Sequence, residues 1–119
     1  MQSMLTYMPD AEHFLDAADI FQQLGDGSRL RIFWLLCHCE ACGVEIAATV
    51  EMSSAAVAHH LKTLRLGRLI KSRRVGKEVY YTLADTEMAK HVHRVVDDFF
   101  QMTCPGRVGE HPCRLHPID

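Results

Sequence analysis

The feature that most limits how this chain folds is a helix with one apolar side and one basic side. Residues 53–66 place Val57, Leu61 and Leu64 at positions i, i+4 and i+7, which lie on one stripe of a helix. The other side of this segment carries polar and basic side chains, namely Ser54, His59, Lys62 and Arg65. We therefore expect a helix that buries its apolar stripe and presents a positive side to its surroundings.

A change of hydrophobic period follows this helix after Gly67. Residues 69–74 and 78–83 are typical of two strands, and the glycine-containing turn at residues 75–77 predicts a hairpin. Residues 42–50, before the basic helix, predict another helix joined to it by a short turn. Two helices with a short turn, followed by a hairpin, predict a helix-turn-helix with a wing.

The rest of the chain predicts a single, mainly α domain with this small β-hairpin. Apolar spacing indicates three more helices, over residues 10–24, residues 30–37, and from Asp85 or Thr86 to Phe100. We expect a flexible N-terminal arm over residues 1–9, the folded domain over 10–103 and an irregular tail over 104–119. The predicted order is four helices, two strands and a final helix.

The last helix has an apolar side that is too wide for a monomer of this size to cover. It comprises Met88, Val92, Val95, Val96, Phe99 and Phe100. We expect this helix and the first helix to form the interface of a homodimer.

The charges are distributed unevenly along the chain. Residues 52–77 contain no acidic residue and seven basic ones, although the net charge of the whole chain is -2. A basic segment on an otherwise acidic protein predicts contact with the phosphate backbone of nucleic acid. No apolar stretch is long enough to span a membrane, and residues 1–9 do not resemble a secretory signal, so we expect a cytoplasmic protein.

Three blocks in this order carry a family resemblance: LGDGSRLRI at residues 24–32, MSSAAVAHHLKTL at 52–64 and RVGKEVYYTL at 74–83. They resemble the ArsR/SmtB family of metal-sensing repressors. The resemblance implies a homodimeric winged helix-turn-helix that binds double-stranded operator DNA, with the fourth helix in the major groove and the wing on the backbone or minor groove.

By position in that family, nine residues would face DNA: Ser53, Ser54, His59, His60, Lys62, Arg65, Arg73, Arg74 and Lys77. The Lys and Arg side chains are suited to neutralising phosphates, whereas Ser54 and His59 are better placed to contact base edges. His60 lies nearer the apolar stripe, so the alternative is that it packs against the core.

The cysteines predict where a signal acts. Five is an odd number, which argues against a disulfide framework in a cytoplasmic protein. Cys37, Cys39 and Cys42 are close enough in sequence to converge on one soft ion, such as zinc, cadmium or lead, with arsenite and copper(I) as further candidates. We expect Cys104 or Cys113 from the tail, which also carries His111 and His116, to complete the site. For Cys37, burial in the core is the alternative.

Two metal sites that the resemblance implies are incomplete in this sequence. Of a Cys-x-Cys pair at the start of the third helix, only Cys42 remains, because Val44 occupies the second position. At the four positions of a site across the final helix stand Asp85, Glu87, Asp98 and Gln101, without histidine. We expect His91 and His93 on that helix to be surface residues.

The resulting hypothesis is a repressor that the metal ion releases from its operator. One alternative keeps the fold and makes the cysteines a redox or persulfide sensor, in which Cys37 or Cys39 pairs with Cys104. Another is a zinc-stabilised protein-interaction module. An enzyme is not expected, because no phosphate-binding glycine loop and no nucleophile with an oriented base is evident.

Overall fold

A computed structural model of the chain describes residues 7–103 together with residues 116 and 118. The elements in chain order are α1 (Ala11–Gln23), α2 (Gly27–His38), β1 (Ala41–Cys42), α3 (Gly43–Val50), α4 (Ser54–Leu66), β2 (Ile70–Val75), β3 (Glu78–Leu83) and α5 (Glu87–Thr103). This order confirms the predicted mainly helical, winged-helix fold. None of the described helices is long and apolar enough to cross a lipid bilayer.

The wing is a hairpin of β2 and β3, which pair antiparallel from Ile70 opposite Leu83 to Val75 opposite Glu78. Gly76 in the turn has a φ of 63°, a left-handed conformation that glycine adopts without a steric cost. A third strand, β1, pairs antiparallel with the other edge of β3. The sequence did not predict β1, because two residues are too few to produce an alternating pattern.

The turn between α3 and α4 fixes the angle of the helix-turn-helix. Glu51 adopts a left-handed φ of 56° at the end of α3. Ser53 then caps α4, since its side chain accepts a hydrogen bond of 3.1 Å from the backbone N–H of Ala56.

The last helix, α5, is capped in the same way by Thr86, whose Oγ1 accepts a hydrogen bond of 3.1 Å from the N–H of Ala89.

The core is centred on α2, which supplies fully buried Ile32, Phe33 and Leu36. The predicted apolar stripe of α4 is confirmed: Val57, Leu61 and Leu64 are buried. Additional core side chains come from α3, from the loop before β2 and from β2 itself, namely Ile46, Val50, Leu69 and Ile70. The basic side of α4 is left facing outward by this arrangement.

Glycine at position 67 leaves space for the amide of Gln23, where α1 approaches the end of α4. A Cβ atom there would lie 1.8 Å from Gln23 Oε1 and 2.3 Å from Gln23 Cδ. Gln23 is itself buried, with 7% of its surface exposed, so its amide has little room to move aside. The φ of Gly67 is -77°, which any residue adopts, and the restriction is therefore steric alone.

We expect Gly67→Ala to lower the free energy of unfolding by about 1–3 kcal/mol, because it overpacks this contact. Urea denaturation followed by circular dichroism measures the change. Gly27→Ala is the matched control, because a Cβ at Gly27 meets nothing within 4 Å. Adding Gln23→Ala to Gly67→Ala should recover part of the loss, and equal destabilisation by both glycine substitutions would contradict the steric explanation.

Candidate nucleic-acid interface and effector site

The outward side of α4 carries most of the predicted DNA-facing residues. The exposed ones are Ser53, Ser54, His59, Lys62 and Arg65. A groove of about 400 Å³ between α4 and β3 is lined by Ser54, Lys62 and Arg65 from the helix and by Glu78 and Tyr81 from the strand. The fold thus brings the basic side of α4 and the wing together around one concave surface.

The three predicted basic residues of the wing are all exposed but differ in their partners. Arg73 forms a bidentate ion pair with Glu40, with Nε donating to Oε2 at 2.8 Å and the second bond running to Oε1. This pair lowers the pKa of the Glu40 carboxyl. Within the described ranges, Arg74 and Lys77 form no ion pair. Their charges are therefore freer to meet phosphate than that of Arg73.

His60 does not share this outward side. It is 9% exposed, and its Nδ1 lies 3.4 Å from an Arg29 guanidinium nitrogen while its Nε2 lies 4.0 Å from Asp26 Oδ1. His60 thus joins α4 to the start of α2. Its placement among the DNA-facing residues is corrected, and the alternative of packing against the core fits its position.

The cysteines near the end of α2 are buried and chemically different from one another. Cys37 and Cys42 are free thiols, exposed by 4% and 6%. Burial raises the pKa of the Cys37 thiol far above its ordinary value, and the charge of Asp97 raises it further. Cys39 is 1% exposed and disulfide-bonded. With Cys39 in a disulfide, the structure does not bring the three cysteines together as thiolate ligands of one ion.

The predicted tail ligands lie mostly beyond what the structure describes. Cys104, His111 and Cys113 fall outside the described residues, so their part in a site stays a prediction. His116 is described, and its Nε2 lies 2.9 Å from Glu45 Oε2 on α3. Its backbone oxygen accepts a hydrogen bond of 3.0 Å from the N–H of Glu40. This part of the tail lies against the α2–α3 connection of its own chain.

A side-chain cluster that the sequence did not predict lies between α2 and α5. His38 at the end of α2 meets His93 and Asp97, which are one turn apart on α5. One ligand atom from each lies within 4.8 Å of the others. His93 is thus not the surface residue expected, whereas His91 is exposed. The i, i+4 spacing of His93 and Asp97 was the one sequence feature that could have indicated this cluster. His38 joins the pair only through the tertiary fold.

Comparisons with known proteins agree with this architecture. The model of the bacterial regulatory protein arsR family matches residues 26–72. A transcriptional repressor SmtB homolog of Synechocystis is 44% identical over 84 residues, which cover 71% of this chain and 63% of that protein. A cadmium resistance regulatory protein, a CadC homolog of Staphylococcus aureus, is 36% identical over 87 residues, which cover 72% of this chain and 69% of that protein.

The chain belongs to the ArsR family. A solved homodimeric winged helix-turn-helix DNA-binding domain from Mycobacterium bovis superposes with a TM-score of 0.68 and 25% identity, over 90% of this chain and all of that one. The resemblance carried by the three sequence blocks is confirmed, and the family model is that of bacterial regulatory proteins. The chain spans 63% of the length of the Synechocystis relative.

The buried histidine of this ArsR-family domain makes its stability depend on pH. Burial lowers the pKa of His60 below its ordinary value of 6.5, and Arg29 and His59 lower it further against the opposing charge of Asp26. The unfolded chain therefore binds a proton at His60 at a higher pH than the folded protein does. The resulting contribution to stability is complete well above pH 6.5 and is lost as the pH falls below it.

We expect His60→Gln to reduce the loss of stability between about pH 7.5 and pH 5.5, because glutamine does not titrate. Urea denaturation at a series of pH values measures this slope. The control is His59→Gln, which removes an exposed imidazole from the neighbouring position. An unchanged slope in His60→Gln, or an equal change in both variants, would show that His60 does not titrate in this way.

Proposed function

We propose that the protein is a transcriptional repressor that binds operator DNA as a homodimer and is released by a metal ion. The observation that carries the proposal is the exposed basic surface formed by α4 and the wing. Lys62 and Arg65 from α4, with Arg74 and Lys77 from the wing, supply positive charge on this side. Such charges set affinity and its salt dependence, while Ser54 and His59 are suited to base edges.

The homodimer is supported by apolar side chains that α1 and α5 leave exposed. They are Phe14, Leu15, Phe21, Met88, Val95, Phe99 and Phe100. The Mycobacterium bovis domain of the same fold is described as homodimeric. A two-fold axis through these helices would present two copies of α4 to successive major grooves, about 34 Å apart along the DNA.

A metal effector is supported by the relatives, one of which is named for cadmium resistance. Thiophilic ions such as zinc, cadmium or lead, with arsenite or copper(I) as further candidates, suit cysteine thiolates. The proposed thiol ligands are Cys37, Cys39 and Cys42, completed by Cys104 or Cys113. In the form described above this set is not assembled, because Cys39 is disulfide-bonded and burial, which raises the pKa of the Cys37 thiol, disfavours its thiolate.

A second candidate function is regulation by thiol oxidation, which the disulfide at Cys39 favours. A small disulfide would oxidise two cysteine thiols to the protein disulfide and leave as two thiols, which balances electrons and protons. The adjacent Glu40 holds Arg73 of the wing, so a change at Cys39 would act next to the candidate DNA surface. We keep this as the alternative to the metal signal.

The DNA-binding surface is tested by fluorescence anisotropy on duplex DNA from upstream of the protein's own gene. We expect Lys62→Ala, Arg65→Ala, Arg74→Ala and Lys77→Ala each to weaken binding. Each should also reduce the slope of log affinity against log salt by about 0.9 for every phosphate that is no longer neutralised. Arg73→Ala should have a smaller effect, because Glu40 already pairs with it.

Lys90→Ala is the matched control, since Lys90 is exposed on α5 and its charge is already paired with Asp85. It should leave affinity and slope unchanged. If the α4 and wing variants behave like this control, the proposed DNA surface is wrong.

The effector is tested on the same DNA with fully reduced protein. Zinc, cadmium, lead, copper(I) and arsenite are added in turn, and release by one ion that a chelator reverses supports the metal signal. Release by a small disulfide, but not in a Cys39→Ser variant, supports the thiol signal and contradicts the metal signal if no ion acts. Cys42→Ser is the control, because Cys42 is a free thiol.

A further inference from the structure

The most convergent group of metal-ligating side chains in the described part of the chain contains no cysteine. His38 Nε2 lies 3.4 Å from Asp97 Oδ1, and His93 Nε2 lies 2.7 Å from Asp97 Oδ2. The rings of His38 and His93 meet edge to face, with their centroids 4.9 Å apart. The three side chains close a partly buried space between the end of α2 and the middle of α5.

The ring nitrogen of His93 provides a second, independent observation. His93 Nε2 is buried from solvent and makes no hydrogen bond, although it lies 2.7 Å from Asp97 Oδ2. A buried polar atom without a hydrogen bond is costly, and a cation shared with the Asp97 carboxylate would remove that cost. The atom faces the carboxylate, in the direction in which a shared cation would lie.

We propose that His38, His93 and Asp97 bind a divalent transition-metal ion of the zinc class. Imidazole nitrogens and a carboxylate oxygen are ordinary zinc ligands, and three protein ligands leave a fourth position for an exchangeable one. Ligand atoms of a tetrahedral zinc site lie about 3.3 Å apart, from bond lengths of about 2.0–2.1 Å. The separations here, all within 4.8 Å, require only small side-chain adjustments to reach that geometry.

The surroundings hold the carboxylate in place for this role. Trp34 Nε1 donates a hydrogen bond of 3.1 Å to Asp97 Oδ1, and the Trp34 ring packs against His38 at 4.7 Å between centroids. Outer partners of this kind fix the orientation of metal ligands. Trp34 is the only tryptophan of the chain, so it reports directly on the site.

The inference deepens the proposed function, on which it rests for the role of the ion as effector. The ligands differ from the cysteine set and from the four final-helix positions that the family resemblance implies. Because they come from α2 and α5 of one chain, the ion would tie the helix that carries the apolar dimer face to the central helix of the core. A nitrogen and oxygen ligand set favours zinc, cobalt or nickel over lead and arsenite.

The experiment measures Zn²⁺ affinity of the full-length reduced protein by competition with a chromophoric chelator, alongside Trp34 fluorescence. We expect one ion per chain whose binding does not depend on the cysteines, and a change in Trp34 emission when it binds. His93→Gln and Asp97→Asn should weaken zinc binding by at least about 100-fold, since even outer partners of zinc ligands are worth 10–100-fold. The Asn side chain in Asp97→Asn can still accept the hydrogen bond from Trp34. A loss of zinc binding in this variant therefore reports the loss of the carboxylate ligand and not a loss of the fold.

His91→Gln is the matched control, because His91 is exposed on the same helix two residues from His93. It should bind zinc like the unmodified protein. The Cys37→Ser/Cys42→Ser variant should still bind one ion, because none of the three ligands proposed here is a cysteine. Co²⁺ bound at the site should show visible ligand-field bands without the ultraviolet charge-transfer band of thiolate. Unchanged affinity in His93→Gln and Asp97→Asn, or loss of all zinc binding in the cysteine variant, would overturn the proposal.

Anisotropy on DNA separates failure of this site from failure of the proposed function. If metal-free His93→Gln binds DNA and zinc still releases it with unchanged affinity, the site is wrong and the repressor stands. If the unmodified protein does not bind DNA at all, the repressor is wrong, and the zinc competition still decides the site.

Discussion

The burial of α2 is the constraint on which the rest of the structure depends. Ile32, Phe33 and Leu36 are fully buried, and α2 packs against α3, α4, α5 and β3. Complete burial of such a side chain is worth about 1.5–3 kcal/mol, so these three residues hold most elements in register. Because α4 packs its apolar stripe against α2, its basic side faces outward, next to the wing.

The short connection after α2 joins the cysteine region to the proposed DNA-binding surface. Cys39, Glu40 and β1 follow one another there, and β1 pairs with β3 of the wing. Glu40 pairs with Arg73 on β2, while His116 lies against Glu45 on α3. Two direct contacts therefore link this connection to the wing, namely the pairing of β1 with β3 and the Glu40–Arg73 ion pair.

Local patterns predicted the elements well where many residues share one period. The stripe of Val57, Leu61 and Leu64 and the hairpin around Gly76 are both found where the sequence indicated them. The two-residue strand β1 was missed because two residues are too few to show an alternating pattern. His60 was placed on the wrong side of α4. It lies at the edge of the apolar stripe, where spacing alone does not show whether a side chain is covered by residues from elsewhere in the chain. Here those neighbours are Asp26 and Arg29 of another helix.

The sequence by itself determined the family, the order of helices and wing, and the concentration of positive charge on α4 and the hairpin. These properties depend on residues near one another in the chain, whose spacing and charge are visible without coordinates. Only the tertiary structure decided which side chains meet across α2 and α5. His38 lies 55 residues before His93, and nothing in their local sequence links them. Burial of α2 against α5 brings them together, because apolar contacts elsewhere along both helices set their relative position.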